Sequence, residues 1–392
     1  MEERCAVGRS SDGFRGTGPL IVASLIAVGA LYSVAHAVRL FLAWPHECAA
    51  RHVSPSISVL QPILSGDPAL AATLAAGPHR APQASFVWLV DSDDPLGRAV
   101  AERLAQGRAN VLVVEGRPPK DGENPKTLKL IRGAEYVDSA IIVVLDDDTT
   151  LSENGLERLA SAAYASGGLA TALPTFGRVP RNAAEALVAG FVDGQGASAY
   201  LAMARLGRNR TINGMAYAVS VDALRQAGGF EAMGHSVTDD WAIACLVART
   251  GRPIVQTALP AHVAVTLRGP LEAARLLRRW AVFAQRYVLA NLDKAMAGLV
   301  LLPAVLPLAG FLLAAWAGPF AMILWLVLLS ARAELHRHLV RVIGGVGSTP
   351  LWAIVAMDLA LPLLALAAAL RPKHIRWRTR RMRLEGNGIR YE

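Results

Sequence analysis

The sequence predicts a membrane-anchored α/β protein, one domain with a mostly parallel sheet of nucleotide-binding type flanked by N- and C-terminal transmembrane helices. Three observations predict it. The 392 residues are 53% hydrophobic with a mean hydropathy of +0.34, richer in apolar side chains than a soluble domain. Apolar runs long enough to cross a ~30 Å hydrocarbon core lie at 19–44, 297–331 and 350–370. Between the first two, short continuous apolar runs alternate with helix-periodic segments, the pattern of strands buried on both faces.

In chain order, residues 1–18 form a polar tail, and Pro19 to Trp44 is a span interrupted only by His36 and Arg39 among ionisable residues. Ala35-His36-Ala37 has the composition of a signal-peptidase site, but the apolar run continues to Trp44, so an anchor is expected. The domain covers 51–262. Its first strand is Ile57–Leu60; a small helix follows, then "SFVWLV", Ser85–Val90, ending at Asp91. Leu96–Gln106 has helical spacing, "NVLVVEG" reads as a strand, Lys126–Val137 as a helix, and "AIIVVL", Ala140–Leu145, ends at Asp146. The turn-rich "PPKDGENP", Pro118 to Pro125, is expected to be a mobile loop.

A helix is expected over 268–291. In "PLEAARLLRRWAVFAQRYVL", Leu277, Trp280, Ala284 and Tyr287 fall on one face and Arg275, Arg279 and Arg286 on another. This reads as an interfacial helix with its apolar side toward acyl chains. Residues 297–331 would span about 52 Å as a helix, so they form either one tilted span or a hairpin broken at Gly310 or Gly318-Pro319. The segment 350–370 carries a single charge, Asp358, and 371–392 is a basic tail.

Residues 261–392 hold 17 Lys/Arg against 6 Asp/Glu, so the net charge of +9 sits beside apolar segments. That placement points to anionic lipid headgroups and argues against nucleic acid, which would be met by a basic folded domain. Arg371, Lys373, Arg376, Arg378, Arg380, Arg381, Arg383 and Arg390 follow the last run and place the tail in the cytoplasm. Three spans leave the domain on the same side as the tail; a hairpin at 297–331 places them on opposite sides. A cytoplasmic domain is the favoured arrangement. Cys5, Cys48 and Cys245 are too scattered for a disulfide framework or a zinc site and suit a reducing compartment.

Two acidic clusters, "DSDDP" at 91–95 and "DDD" at 146–148, lie at strand ends, where ligands gather in such sheets. Adjacent carboxylates raise one another's pKa unless a cation or donors neutralise them. Asp146 and Asp148, at alternate positions, face one side and suit a divalent hard cation bridging to phosphate; a solvated acidic loop is the competing reading. The chain contains no G-x-x-x-x-G-K-[ST], which excludes a P-loop NTPase. Asp146-x-Asp148-x-Thr150 matches the D-x-D-x-T of covalent phosphatases, yet that motif usually opens the first strand, and here several strands precede it. A nucleotide-sugar glycosyltransferase fits better. Its metal takes up charge on the departing diphosphate, and a separate carboxylate deprotonates the acceptor hydroxyl. Asp239 or Asp240 in "VTDDWAIA" is available for that second task.

With those residues assembled, the chain resembles the ceramide glucosyltransferase family of inverting, GT-A-type glycosyltransferases that act on membrane lipids. "SVLQPILSGDPAL" is similar to its opening strand and turn, "VDSDDP" to its first acidic motif, and "GENPKTLKL" to its Asn-Pro-Lys segment. "VVLDDDTTL" stands at its second acidic motif, "NGMAYAVSVDALRQAGGF" at its Gly-Met strand and turn, and "TDDWAIA" at its third. The resemblance implies a UDP-sugar donor held by Asp91 and Asp93, Lys126 near the diphosphate, and Mg2+ or Mn2+ on Asp146 and Asp148. It implies Asp240 as the base, with Asp239 beside it, and Arg279 and Trp280 from the terminal "xxRW" motif on the donor. Leu276 stands where that family carries Gln or Arg, leaving Arg275, one residue back, as the candidate substitute. The expected reaction moves a hexose or N-acetylhexosamine to a lipid hydroxyl, ceramide first, a hopanoid or diacylglycerol next. A membrane-bound phosphatase and a non-catalytic membrane scaffold are the alternatives.

Overall fold

The computed structural model describes residues 18–45, 54–370, 374–377, 380–385 and 388–391. The expected polar tail before Gly18, Cys5, Cys48, Arg371, Lys373 and Arg378 lie outside the described residues. One apolar helix, α1 (Gly18–Ala43), leads in. Then β1 (Ile57–Pro62), α2 (Leu70–Arg80), β2 (Ser85–Asp91), α3 (Pro95–Ala105), β3 (Val111–Gly116), α4 (Pro125–Ala134) and β4 (Ile141–Leu145) alternate as the hydrophobic pattern predicts. The domain continues with β5 (Thr149–Leu151), α5 (Gly155–Ser166), β6 (Leu169–Phe176), α6 (Ala183–Phe191), α7 (Ala197–Arg205), β7 (Ala216–Ser220), α8 (Val221–Gln226), α9 (Asp239–Arg249) and β8 (Ile254–Val263).

These strands form one sheet in the order β3-β2-β1-β4-β7-β6-β8-β5. The first four are mutually parallel, and β7 runs antiparallel between β4 and β6. The period of two sorts each strand between two cores. Ile141, Val143 and Leu145 of β4 join Phe86, Trp88 and Val90 of β2 under α2, α3 and α5. Ile142, Val144, Val87 and Leu89 meet Leu130 of α4 and Ile243 of α9 on the other face. Burial on both faces is why these strands read as unbroken apolar runs. The antiparallel β7 has a local consequence: Ala216 pairs with Leu145, so the Asn213-Gly214-Met215 turn lies beside the end of β4.

After the sheet come α10 (Pro270–Ala290), then α11 (Lys294–Met296) continuing through a π turn, Ala297–Leu301, into α12 (Leu302–Ala317), then α13 (Pro319–Val342) and α14 (Leu351–Leu370). Helices 19–43, 294–317, 319–342 and 351–370 are long and apolar enough to cross a membrane. The stretch expected at 297–331 is thus two helices broken at Gly318, whose φ of 115° favours glycine and precedes a helix-starting proline. The polar interruptions of these helices face one another. Arg39 of α1 donates to Gln195 Oε1 at 2.6 Å, and Gln195 Nε2 donates to Asp358 of α14 at 2.8 Å. Arg332 of α13 pairs with that same Asp358. Gln195 belongs to a π turn, Val192–Gly196, between α6 and α7, whose carbonyls at Gly194 and Gln195 also accept from Arg332 and Arg39.

Two expectations are modified by the structure. The apolar face of α10 is turned inward on the domain: Leu277 is buried with Val188 and Met357, and Trp280 stacks on Phe191 with ring centroids 5.5 Å apart. The second concerns the basic tail, whose described part packs on the domain. It folds as an antiparallel sheet, β9 (His374–Trp377), β10 (Arg380–Glu385) and β11 (Gly388–Tyr391), against the domain. Gly122 N donates to Ile389 O at 2.6 Å and Tyr391 OH to Glu123 O at 2.9 Å, so the loop expected to be mobile is tied down. Contact between tail and domain requires an even number of crossings between them. The hairpin is thus present, yet the tail is in contact with the domain rather than apart from it.

Candidate active site

The end of β4 is where the acidic residues converge. Asp146, Asp147 and Asp148 form the turn that follows β4, closed by Thr149 N donating to Asp146 O at 3.1 Å, so the strand alternation expected of them does not set their directions. Asp147 is buried: its Oδ2 accepts from Leu64 N at 2.8 Å, while Asp94 Oδ2 accepts from Ser65 N at 2.8 Å. Both aspartates thereby hold the loop after β1. Asp146 and Asp148 remain part-exposed. Gln61 of β1 supports that turn from below, donating to Asp146 O at 3.3 Å while its Oε1 accepts from Trp88 Nε1 at 3.0 Å.

Lys126 is the hub. Asn124 caps α4, its Oδ1 accepting from Lys126 N at 2.9 Å and Thr127 N at 3.1 Å, and its Nδ2 donates to Ser236 O at 2.9 Å. Pro125 starts the helix with φ already set. The cap therefore places Lys126 in the first turn and ties it to the loop before Asp239. Its buried Nζ lies 2.8 Å from Asp146 Oδ1 and 3.0 Å from Asp239 Oδ2, and donates to Gly214 O at 2.6 Å. Burial alone would lower the Lys126 pKa, but the charges of Asp146 and Asp239 hold it well above the ordinary value. One helical turn on, Lys129 Nζ pairs with the buried Asp91 Oδ2 at 2.8 Å.

Burial, only partly offset by Lys126, raises Asp146 to about 6, and Asp148 adds to the rise. Asp240, the second residue of α9, is raised to about 7 by burial and then by the adjacent Asp239. Its Oδ1 accepts from Trp241 N at 2.7 Å. Gly214 makes room for it: a Cβ there would lie 2.9 Å from Asp240 Cβ.

Two cavities meet at this cluster. A charged one of about 70 Å³ is lined by Lys126, Lys129, Asp146, Asp148, Arg279 and Arg380. A larger one of about 420 Å³ runs from Lys126, Asp146 and Asp240 along an apolar wall that includes Phe191, Trp241, Trp280, Phe283 and Tyr287. Lys126, Asp146 and Arg279 line both.

Of the residues singled out in the sequence, Lys126, Asp146, Asp239, Asp240, Arg279 and Trp280 are brought together around the larger cavity. Asp148 joins through the smaller one, and Asp91 and Asp93 through Lys129 and Arg380. Arg275 is not brought in; it is exposed one turn back along α10 and lines neither cavity. Sequence reasoning misses Asn124, Lys129, Gly214 and Arg380. The three-residue spacing of Lys126 and Lys129 in a helix is a usable signal for the second; Arg380 offers none.

Among the described residues no three His, Cys, Asp or Glu side chains form a metal-binding group. The pair Asp146 and Asp148 nevertheless fits Mg2+ or Mn2+. These ions take one or two protein carboxylates and complete their shell with substrate phosphates and water. Burial is what chiefly raises Asp146, and a cation at the cavity wall would stabilise its ionised form.

The family model for glycosyl transferase family 21 matches residues 20–389. No curated protein sequence matches the chain. Among solved structures, the mannosyltransferase PcManGT from Pyrobaculum calidifontis, in complex with GDP-Man and Mn2+, is similar with a TM-score of 0.52 at 16% identity. That match covers 89% of this chain and 99% of that one. Glucosyl-3-phosphoglycerate synthase from Mycobacterium tuberculosis, in complex with Mn2+, uridine diphosphate and phosphoglyceric acid, matches with a TM-score of 0.37 at 16% identity. It covers 59% of this chain and 78% of that one.

Proposed function

The chain belongs to glycosyl transferase family 21, and from that premise we propose that it transfers a hexose or N-acetylhexosamine from a UDP-sugar to the hydroxyl of a membrane lipid, ceramide before a hopanoid or diacylglycerol, with inversion. The observation that carries the reading is the shared wall: a charged cavity suited to a diphosphate and an apolar chamber suited to a lipid meet at Lys126, Asp146 and Arg279.

Asp91 takes the uracil N–H on its Oδ1, which is buried and accepts no hydrogen bond in the protein. Asp146 and Asp148 hold the cation, which when bound neutralises charge on the departing nucleotide; the mannosyltransferase of like fold is in complex with GDP-Man and Mn2+. Asp240 is the base. Asp239 is engaged by Lys126, whereas the Asp240 carboxyl, raised to about 7, is basic enough to take the acceptor proton. Lys126 holds Asp146 and Asp239 in register and adds positive charge where the diphosphate departs. The apolar chamber excludes water, which otherwise competes with the acceptor. Its volume is below that of a two-chain lipid, so the acyl chains extend toward the bilayer.

The membrane arrangement is part of the proposal. α1 and the α12–α13 hairpin cross, and α14 lies along the domain. Support comes from its contacts: a Cβ on Gly190 would collide with Ala353 O, Met357 is buried with Val188, and Ala368 with Met382. The basic residues then keep tail and domain in the cytoplasm. The test is sugar transfer from UDP-sugars to lipid extracts, with products read by mass spectrometry. Wild-type membranes are expected to form a glycolipid that Asp146→Ala and Asp240→Asn membranes do not; full activity in either variant would defeat the assignment. Phosphate release without any sugar acceptor would favour a phosphatase.

A further inference from the structure

The C-terminal sheet reaches into the donor side of the site. Met382, Leu384 and Ile389 are buried with Val237 and Val282, and Tyr391 N donates to Asp121 Oδ1 at 2.8 Å. This anchoring holds Arg380, in β10, over the charged cavity, with Nη2 2.6 Å from Asp91 Oδ2 and 2.7 Å from Asp93 Oδ1.

Those two contacts do not account for Arg380 as a structural neutraliser. Asp91 already has Lys129 on the same oxygen at 2.8 Å. Asp93 is half exposed, 49%, and pairs of that kind contribute little, about 0–1 kcal/mol. The Asp91 pair is buried, but Lys129 stays on that carboxylate when the guanidinium moves. The guanidinium borders the cavity that a diphosphate would enter, and its planar fork suits two phosphate oxygens better than two carboxylates from different residues.

We propose that Arg380, supplied by the C-terminal sheet, is a donor-binding residue that exchanges Asp91 and Asp93 for the diphosphate when nucleotide is bound, latching the sheet over the loaded site. This rests on the donor reading of the charged cavity.

The experiment compares UDP with uridine, each with Mn2+, titrated calorimetrically into the purified full-length protein and into Arg380→Ala and Arg380→Lys. Arg380→Ala is expected to weaken UDP at least about tenfold, with Lys recovering part of the loss, while uridine binding is unchanged or tighter. In steady state the KM for the sugar donor rises and that for the lipid stays. Because Lys129 remains on Asp91, the variant is expected to fold. Unchanged UDP affinity overturns the assignment, and an equal loss for uridine and UDP overturns it in favour of a purely structural arginine. If wild-type protein binds no UDP, the donor reading itself falls and this inference with it.

Discussion

The Nζ of Lys126 stands 2.8 Å from Asp146 Oδ1, joining the first turn of one helix to the end of the neighbouring sheet's central strand. The same ammonium reaches Asp239, so one buried cation fixes the aspartate proposed for the metal relative to the neighbour of the proposed base. Replacing it with Met, which keeps the length of the side chain, is expected to lower kcat/KM by about 10²–10³. Steady-state kinetics in detergent check this; a change under threefold would contradict the role.

The base assignment makes a pH prediction. A base must be ionised to act, and Asp240 is raised to about 7 by burial and by Asp239. The ionised fraction therefore falls tenfold per unit below about 7, so kcat/KM falls on the acid side and levels off above it. Asp240→Asn is expected to remove the acid limb together with nearly all transfer while leaving UDP binding in place.

Gly214→Ala tests whether space rather than charge positions that base. The added methyl would lie 2.9 Å from Asp240 Cβ, a contact that forces the start of α9 to shift. A displacement of this kind is expected to cost about 10²-fold in kcat with donor binding retained. Equal losses in kcat and donor affinity would instead mean that the turn has collapsed.

Asp147 and Asp148 are expected to separate by function. Asp147→Ala strands the buried N–H of Leu64 and is expected to lower stability by about 1–3 kcal/mol, read by thermal unfolding, with the Mn2+ dependence of transfer unchanged. Asp148→Ala is expected to do the reverse, leaving the melting temperature in place and raising the Mn2+ concentration needed for activity. Chelation of divalent cations should stop wild-type transfer, and added Mn2+ should restore it.

Reporter fusions near Ser166 and at Glu392 are expected to lie on one side of the membrane. The contact of Arg380 with Asp91 demands it, and opposite sides would contradict the folded position of the tail.

The hydrophobic pattern by itself determined the strand-helix alternation from Ile57 to Leu145, because parallel strands buried on both faces leave a local, unbroken apolar signature. It also located the acidic motifs, since strand ends are visible as the point where that signature stops. That the three aspartates form a turn rather than a continuing strand was not legible, nor that Asp147 holds a loop 83 residues away. Only the tertiary structure decided how the parts meet. The antiparallel insertion of β7, which carries Gly214 to Asp146, is a choice of strand order that leaves no local trace. The inward turn of α10 was likewise hidden, because a helix with one apolar face is written the same way whether that face meets lipid or protein. Arg380 lies 289 residues from Asp91; in the sequence it is one arginine in a basic tail, and the sheet that carries it back makes it part of the site.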